Sequence, residues 1–339
     1  MKRMRLLGLC AAIVLLAATL SRTAGAKPGK RVSGELKQWH RVTLTFHGPD
    51  TDEMAKPNPF TDYRLDVMFG RPDGETYIVP GYYAADGNGG SEGDVWRVHF
   101  SPDRAGLWHY EASFRKGENV AVSGRSAGKP TSFDGAEGSF RVEPSDKDMP
   151  DFRASERGTV TNTNPRDHYL RFAGSGDIWI KGGPDIPENF LGYTGFANTP
   201  KAGHSFEAHR DDWRPGDPNW NNGAGKGIIG ALNYIARTGG NSIYFLPANI
   251  GGDGKDTFPT VGPQEKLRYD NTKLRQWETV FSHAQSLGIF LHFQLTETED
   301  GAENYHDGGR LGPERKLYYR ELIARFGHHN GLEWNIGEE

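Results

Sequence analysis

Two consecutive carboxylates, Glu338 and Glu339, follow a short apolar strand that reads Leu332 to Ile336. Side chains alternate between the faces of a strand. With Leu332, Trp334 and Ile336 on the apolar face, Glu333, Asn335, Gly337 and Glu339 share the other. Ile289 to Thr296 repeats the pattern: Leu291, Phe293 and Leu295 alternate with His292, Gln294 and Thr296, and Glu297 and Glu299 come next. A third group, Asp185, Glu188 and Asn189, follows the apolar run Ile178 to Gly183. Carboxyl, amide and imidazole groups gathered at neighbouring strand ends can exchange protons with a polar substrate or hydrogen-bond it. Each group also has a plainer reading. Glu338 and Glu339 could be a solvated end, Asn189 a helix cap, His292 and Gln294 hydrogen-bonded interior filling, and Glu297 and Glu299 a solvated loop.

Only a repeating frame of strands and helices would bring these groups together. Ile228, Ala231, Leu232 and Ile235 have helical spacing and are stopped by Gly239-Gly240. Asn241 to Leu246 reads as a strand, and Trp277, Val280, Phe281 and Ala284 as the stripe of a helix that Gly288 can cap. Pro313 opens a third helix, with Tyr319, Leu322, Ile323 and Phe326 on one face. Strand and helix alternating in this order predict a parallel sheet, and the long loops after the first two strands fit a (β/α) barrel whose active face is built by loops. Eight such units take about 250 residues. Residues 177–339 hold four strands, so the expectation is the N-terminal half of a barrel, inactive as it stands because the chain is a truncated reading frame.

Ahead of it, short alternating runs broken by Gly, Pro, Asn and Asp predict an all-β sandwich over residues 36–145. The strands expected are Arg41 to Phe46, Arg64 to Phe69, Thr76 to Tyr83, Val95 to Phe100, Leu107 to Phe114 and Gly138 to Val142. Residues 146–176 connect the two halves, with Tyr169 to Phe172 folding back as a hairpin on Ile178 to Ile180.

Residues 1–26 have the three-part layout of a secretory signal: Lys2, Arg3 and Arg5, then the apolar run Leu6 to Leu20, then the small residues Ala24-Gly25-Ala26. The run is too short to span a bilayer as a stable helix. A secreted or periplasmic protein is therefore expected, with no membrane attachment after cleavage. Cleavage also removes Cys10, the one cysteine, which excludes disulfides, cysteine-bound metals and a cysteine nucleophile from the mature chain. The formal net charge is −4 and no basic run follows the leader, so nucleic acid is not an expected partner.

Other patterns are weaker. Asp86, Asn88 and Asp94 lack the full spacing of a calcium loop, and Gly251 to Gly254 lacks the Lys-Ser/Thr that ends a phosphate loop. His328-His329 reads as serving the C-terminus of the third helix. Tyr82, Tyr83, Trp96, Trp108 and Tyr110 suit core packing better than sugar stacking. No cofactor or metal is expected, and nothing in the sequence sets an oligomeric state.

Three stretches of the sandwich carry a family likeness: Val79-Pro80-Gly81-Tyr82-Tyr83, Trp96 to Pro102, and Gly106-Leu107-Trp108-His109-Tyr110. They resemble the uncharacterised β-sandwich domain that precedes the barrel in many secreted bacterial glycoside hydrolases. Lys181-Gly182-Gly183-Pro184-Asp185, Gly251 to Asp256 and Trp334-Asn335-Ile336-Gly337-Glu338-Glu339 continue the likeness. The resemblance implies a clan A type of barrel, with the acid/base carboxylate ending strand four and the nucleophile ending strand seven, beyond this sequence. Strand four in that clan closes on Asn-Glu, whereas here Glu338 takes the Asn position. It implies Glu339 as the acid/base, with Glu338 as the alternative, acting on a polysaccharide or oligosaccharide with retention. Asp185, Glu188, Asn189, His292, Gln294, Glu297 and Asn335 are the expected substrate contacts. The competing expectation is a non-catalytic carbohydrate-binding or structural module.

Overall fold

Nine strands make up the first part of the chain: β1 (Val32–Gly34), β2 (Val42–Asp52), β3 (Tyr63–Gly70), β4 (Thr76–Pro80), β5 (Tyr82–Tyr83), β6 (Glu92–Phe100), β7 (Gly106–Lys116), β8 (Lys129–Pro130) and β9 (Glu137–Val142). The computed structural model describes residues 31–162, 168–184, 189–200, 203–252 and 254–337. The expected signal segment, 1–26, lies outside them.

The strands form two antiparallel sheets, one ordered β1-β2-β6-β5 and the other β4-β3-β7, with β8 and β9 both pairing with β7. The alternation in β2, β3 and β7 puts Leu44 and Phe46, Val67 and Phe69, and Trp108 and Phe114 between the sheets. Ring contacts bridge the two faces there. Phe69 stacks on Phe100 at 4.3 Å, and Trp96 meets the edge of Phe114 at 4.8 Å. The run 76–83, expected as one strand, is two. At Gly81 the chain leaves the second sheet for the first, and a Cβ there would lie 2.5 Å from the Leu65 side chain. Only glycine permits that approach.

Beyond the sandwich, β10 (Val160–Thr161), β11 (Leu170–Phe172) and β12 (Ile178–Trp179) form a small antiparallel sheet. The hairpin of β11 on β12 is the one expected. Ile178–Trp179 is thereby paired antiparallel, and this corrects the reading of 178–183 as the first strand of a parallel set. Its backbone groups are taken up by β11, and only the segment after it runs beside the next sheet, where the Asn241 N–H donates to Gly182 O at 2.7 Å.

Next come α1 (Lys226–Arg237), β13 (Ser242–Phe245), α2 (Asn271–Ser286), β14 (Phe290–Gln294), α3 (Pro313–Phe326) and β15 (Leu332–Asn335). The three strands are parallel and adjacent in chain order, with α2 and α3 as crossovers. Asp270 caps α2 by accepting from the Lys273 N–H at 2.8 Å, and Gly288 beyond its end takes a φ of +72°. Phe293 packs edge-on against Phe281 of α2 at 5.2 Å and stacks on Phe326 of α3 at 6.0 Å, so this face of the sheet is the covered one.

The expected face of α3 is only half right. Leu322 and Phe326 are buried, but Ile323 is 41% exposed while Leu317, Tyr318, Glu321 and Arg325 are inside. Two surfaces cover α3: the parallel sheet on one side, and on the other the sandwich, where Arg325 donates to Tyr83 O at 3.1 Å and Arg320 to Leu65 O at 2.6 Å. Strand β6 is buried on both faces for the same reason. No described helix is long and apolar enough to cross a membrane.

Candidate functional site

The register of the parallel sheet sets Tyr244, His292 and Glu333 side by side on the face opposite the helices. His292 is the centre of the group. Its Nδ1 lies 3.0 Å from Glu333 Oε1, its Nε2 lies 3.2 Å from the Asn335 amide nitrogen, and the edge of its ring meets Tyr244 at 4.9 Å. Lys181 closes the group, touching His292 and donating to Glu333 Oε1 at 3.4 Å. The hydrogen bond from His292 holds the Glu333 carboxyl below its ordinary range against the opposing effect of burial, and the Lys181 charge adds to this. A carboxylate kept ionised, an imidazole and an ammonium thus share one patch of the sheet.

A second group occupies the loop beyond β13. Asn249 and Asp256 are 1% exposed and face each other across a glycine-rich turn. The Asn249 side-chain oxygen accepts from the N–H of Thr257 at 2.8 Å and of Asp256 at 3.2 Å, and its amide donates to Asp256 Oδ1 at 3.2 Å. Asn189 donates to Asp256 Oδ2 at 3.2 Å, and its own oxygen lies 2.6 Å from His204 Nε2. Glycine is required at the turn: a Cβ on Gly252 would fall 1.4 Å from Glu297 Oε1, and one on Gly254 would fall 2.4 Å from the Asn249 amide. Glu297, 1% exposed, is therefore wedged against the loop after β13 from the end of β14.

The structure brings His292 and Asn335 into direct contact and joins Asn189 to the loop network. Gln294 is fully buried and its amide donates to Thr296 O at 2.7 Å, as interior filling does. Asp185, Glu188, Glu338 and Glu339 lie outside the described residues. Alternation along 332–336 already put Glu333 on this face, yet gave it no role. Lys181, Asn249, Asp256 and His204 were not picked out as site residues; the amide and carboxylate flanking Gly251 to Gly254 were the available signal, read only as a turn.

Residues 35–115 match a family described as a domain of unknown function (DUF5060). Among solved structures, the chain is similar to a candidate glycoside hydrolase from Bacteroides vulgatus ATCC 8482, at 18% identity and a TM-score of 0.55, over 89% of this chain and 49% of that one. The chain thus spans about half the length of that neighbour, and the likeness is one of fold. The type III pullulan hydrolase of Thermococcus kodakarensis aligns over 78% of this chain and 39% of its own at 15% identity, with a TM-score of 0.18, too low to carry an argument. No curated protein shows significant similarity to this chain. A two-sheet sandwich, a small antiparallel sheet and a parallel α/β unit make up the described fold, and the likeness to the Bacteroides neighbour is a likeness of fold.

Proposed function

We propose that this chain is part of a secreted or periplasmic glycoside hydrolase in which the parallel sheet begins a (β/α)8 barrel at 177–339, behind a signal segment at 1–26, a sandwich at 36–145 and a connecting segment at 146–176. The observation that carries the reading is the polar cluster Lys181, His292, Glu333 and Asn335, on the face of the parallel sheet opposite the covering helices. In a barrel that face is the interior, and the loops after the strands, here those holding Asn249, Asp256 and Glu297, build the active end.

Closely placed donors and acceptors of this kind suit a hydroxyl-rich carbohydrate. Glycosidic cleavage needs a carboxylic acid that protonates the leaving oxygen and a second carboxylate across the bond. Glu339 follows β15 in the sequence and is the proposed acid/base, with Glu338 as the alternative; the nucleophile would lie on a later strand, and the reaction would retain configuration. Asp185, Glu188, Asn189, His292, Glu297 and Asn335 are the proposed substrate contacts, with Gln294 kept as interior filling beside them. The fold likeness to a glycoside hydrolase candidate supports the reading.

The test is Glu339→Gln in the full-length gene product, assayed against a panel of oligosaccharides. Turnover is expected to fall about 10²- to 10⁴-fold while sugar binding persists. Unchanged turnover would remove Glu339 from the role, and binding without turnover in the unaltered protein would favour a binding module.

A further inference from the structure

Away from the strand ends, α2 and the loop after α3 meet the outer face of the first sheet, and a different set of side chains converges there. Glu278 of α2 lies between two consecutive imidazoles. His328 Nε2 is 3.3 Å from Glu278 Oε1, and His329 Nε2 is 3.1 Å from Glu278 Oε2. The three ligand atoms fall within 4.8 Å of one another. Around a tetrahedral zinc ion with bonds of about 2.0 to 2.1 Å, adjacent ligand atoms are separated by about 3.3 Å. Each imidazole nitrogen already stands at about that spacing from a Glu278 oxygen.

We propose that Glu278, His328 and His329 form a site for a divalent transition-metal ion, zinc being the best match, which ties α2 to the loop before β15 at the seam with the sandwich. The donor set of two imidazoles and a carboxylate suits that class of ion. Both histidine side chains are buried, at 1% and 0% exposure, and Glu278 is 17% exposed. A cleft of about 570 Å³, lined by Arg41, His99, Arg275 and Glu278 among others, reaches the carboxylate, while His328 and His329 do not line it.

His99 packs on His328 with ring centroids 5.0 Å apart, but its Nδ1 is engaged by Thr43 and its Nε2 by Tyr82. It is a neighbour of the site and not a ligand. Arg41 is the opposing group: its guanidinium pairs with Glu278, and must turn aside for an ion to bind. With 40% of its side chain exposed, it can turn into the cleft. A second grouping, Glu35, His40 and Asp146, has half-exposed carboxylates that already face Lys37 and Lys147, and it serves as the control.

The experiment is a Co²⁺ titration of the metal-stripped protein followed by visible d–d absorption, then displacement by Zn²⁺. One ion per chain is expected, with the intense bands of a tetrahedral site. Glu278→Gln and His329→Gln should abolish them and His40→Gln should keep them. Arg41→Ala should bind about tenfold more tightly, because a positive charge beside the ion is gone; that gain cannot come from a failure to fold. Absence of the bands in the unaltered protein, their survival in Glu278→Gln, their loss in His40→Gln, or no gain in Arg41→Ala would each overturn the proposal.

Discussion

Glu53 shows how burial sets the behaviour of a single residue. Its carboxyl is 9% exposed and accepts the N–H of Asn271 at 2.8 Å. Burial pushes its pKa up to about 7 from 4.5, with the nearby Asp270 charge adding to the rise and the Asn271 hydrogen bond opposing it. The folded state therefore holds this proton more tightly than the unfolded state does. Its contribution to stability is complete below about pH 4.5 and is lost as pH rises through about 7. Glu53→Gln should leave stability near pH 4.5 almost unchanged and raise it at pH 8, by on the order of 2 kcal/mol once partial solvent screening is allowed for. Urea denaturation at both pH values reads this directly, and an equal effect at the two would show that Glu53 is not protonated in the fold. Nothing in the sequence around Glu53 marks it, because the shift comes from burial in the fold and from the charge of Asp270, far along the chain.

At the scale of elements, α3 carries the clearest lesson. Its periodicity made Leu322 and Phe326 legible as core, but a single apolar stripe has no place for Glu321 and Arg325, which are buried as a pair at 3.0 Å. Arg325 also lies over the Tyr82 ring at 4.3 Å and donates to Asn271 Oδ1 at 3.0 Å. Removing one member of a buried pair leaves an uncompensated charge, which costs about 3 to 5 kcal/mol. Arg325→Ala should lose about that much stability in chemical denaturation. A loss below about 1 kcal/mol would mean that water replaces the guanidinium and that the helix is not sealed against the sandwich. The strands were easier to read: alternation in β2, β3 and β7 survives because one face of each strand is solvated. In β6 both faces are covered, and the alternation is lost.

For the molecule as a whole, the described residues from Arg31 onward make one compact unit. Several contacts across the seam between sandwich and α/β part are polar and buried or partly buried: Asn330 donates to Trp39 O at 2.8 Å, Arg320 reaches Asp66 at 2.9 Å, and Arg268 donates to Ala55 O at 3.0 Å. Opening the seam would leave these groups to be hydrated one by one, while exposing Tyr82, Tyr83 and the second face of α3. The two parts should therefore unfold together. Scanning calorimetry should show one transition with equal van't Hoff and calorimetric enthalpies. Two resolved transitions would show that the seam is weaker than either core.

The sequence alone determined the period of the helices and of the strands with one solvated face, and hence most of the order of strands and helices, because alternation and the 3.6-residue repeat are local properties of the chain. It also determined which side of the β14 strand is polar, so His292 and Asn335 could be placed on a common face before any partner was known. Only the tertiary structure decided what those groups meet. The pairing of His292 with Glu333, the docking of Asn189 on Asp256, and the convergence of His328 and His329 on Glu278 join residues 41 to 67 positions apart. The sheet register and the packing of α2 against the sandwich set those distances, and neither leaves a mark in the local sequence. For that reason His328-His329 read as the tail of a helix, while the fold makes them two sides of a carboxylate.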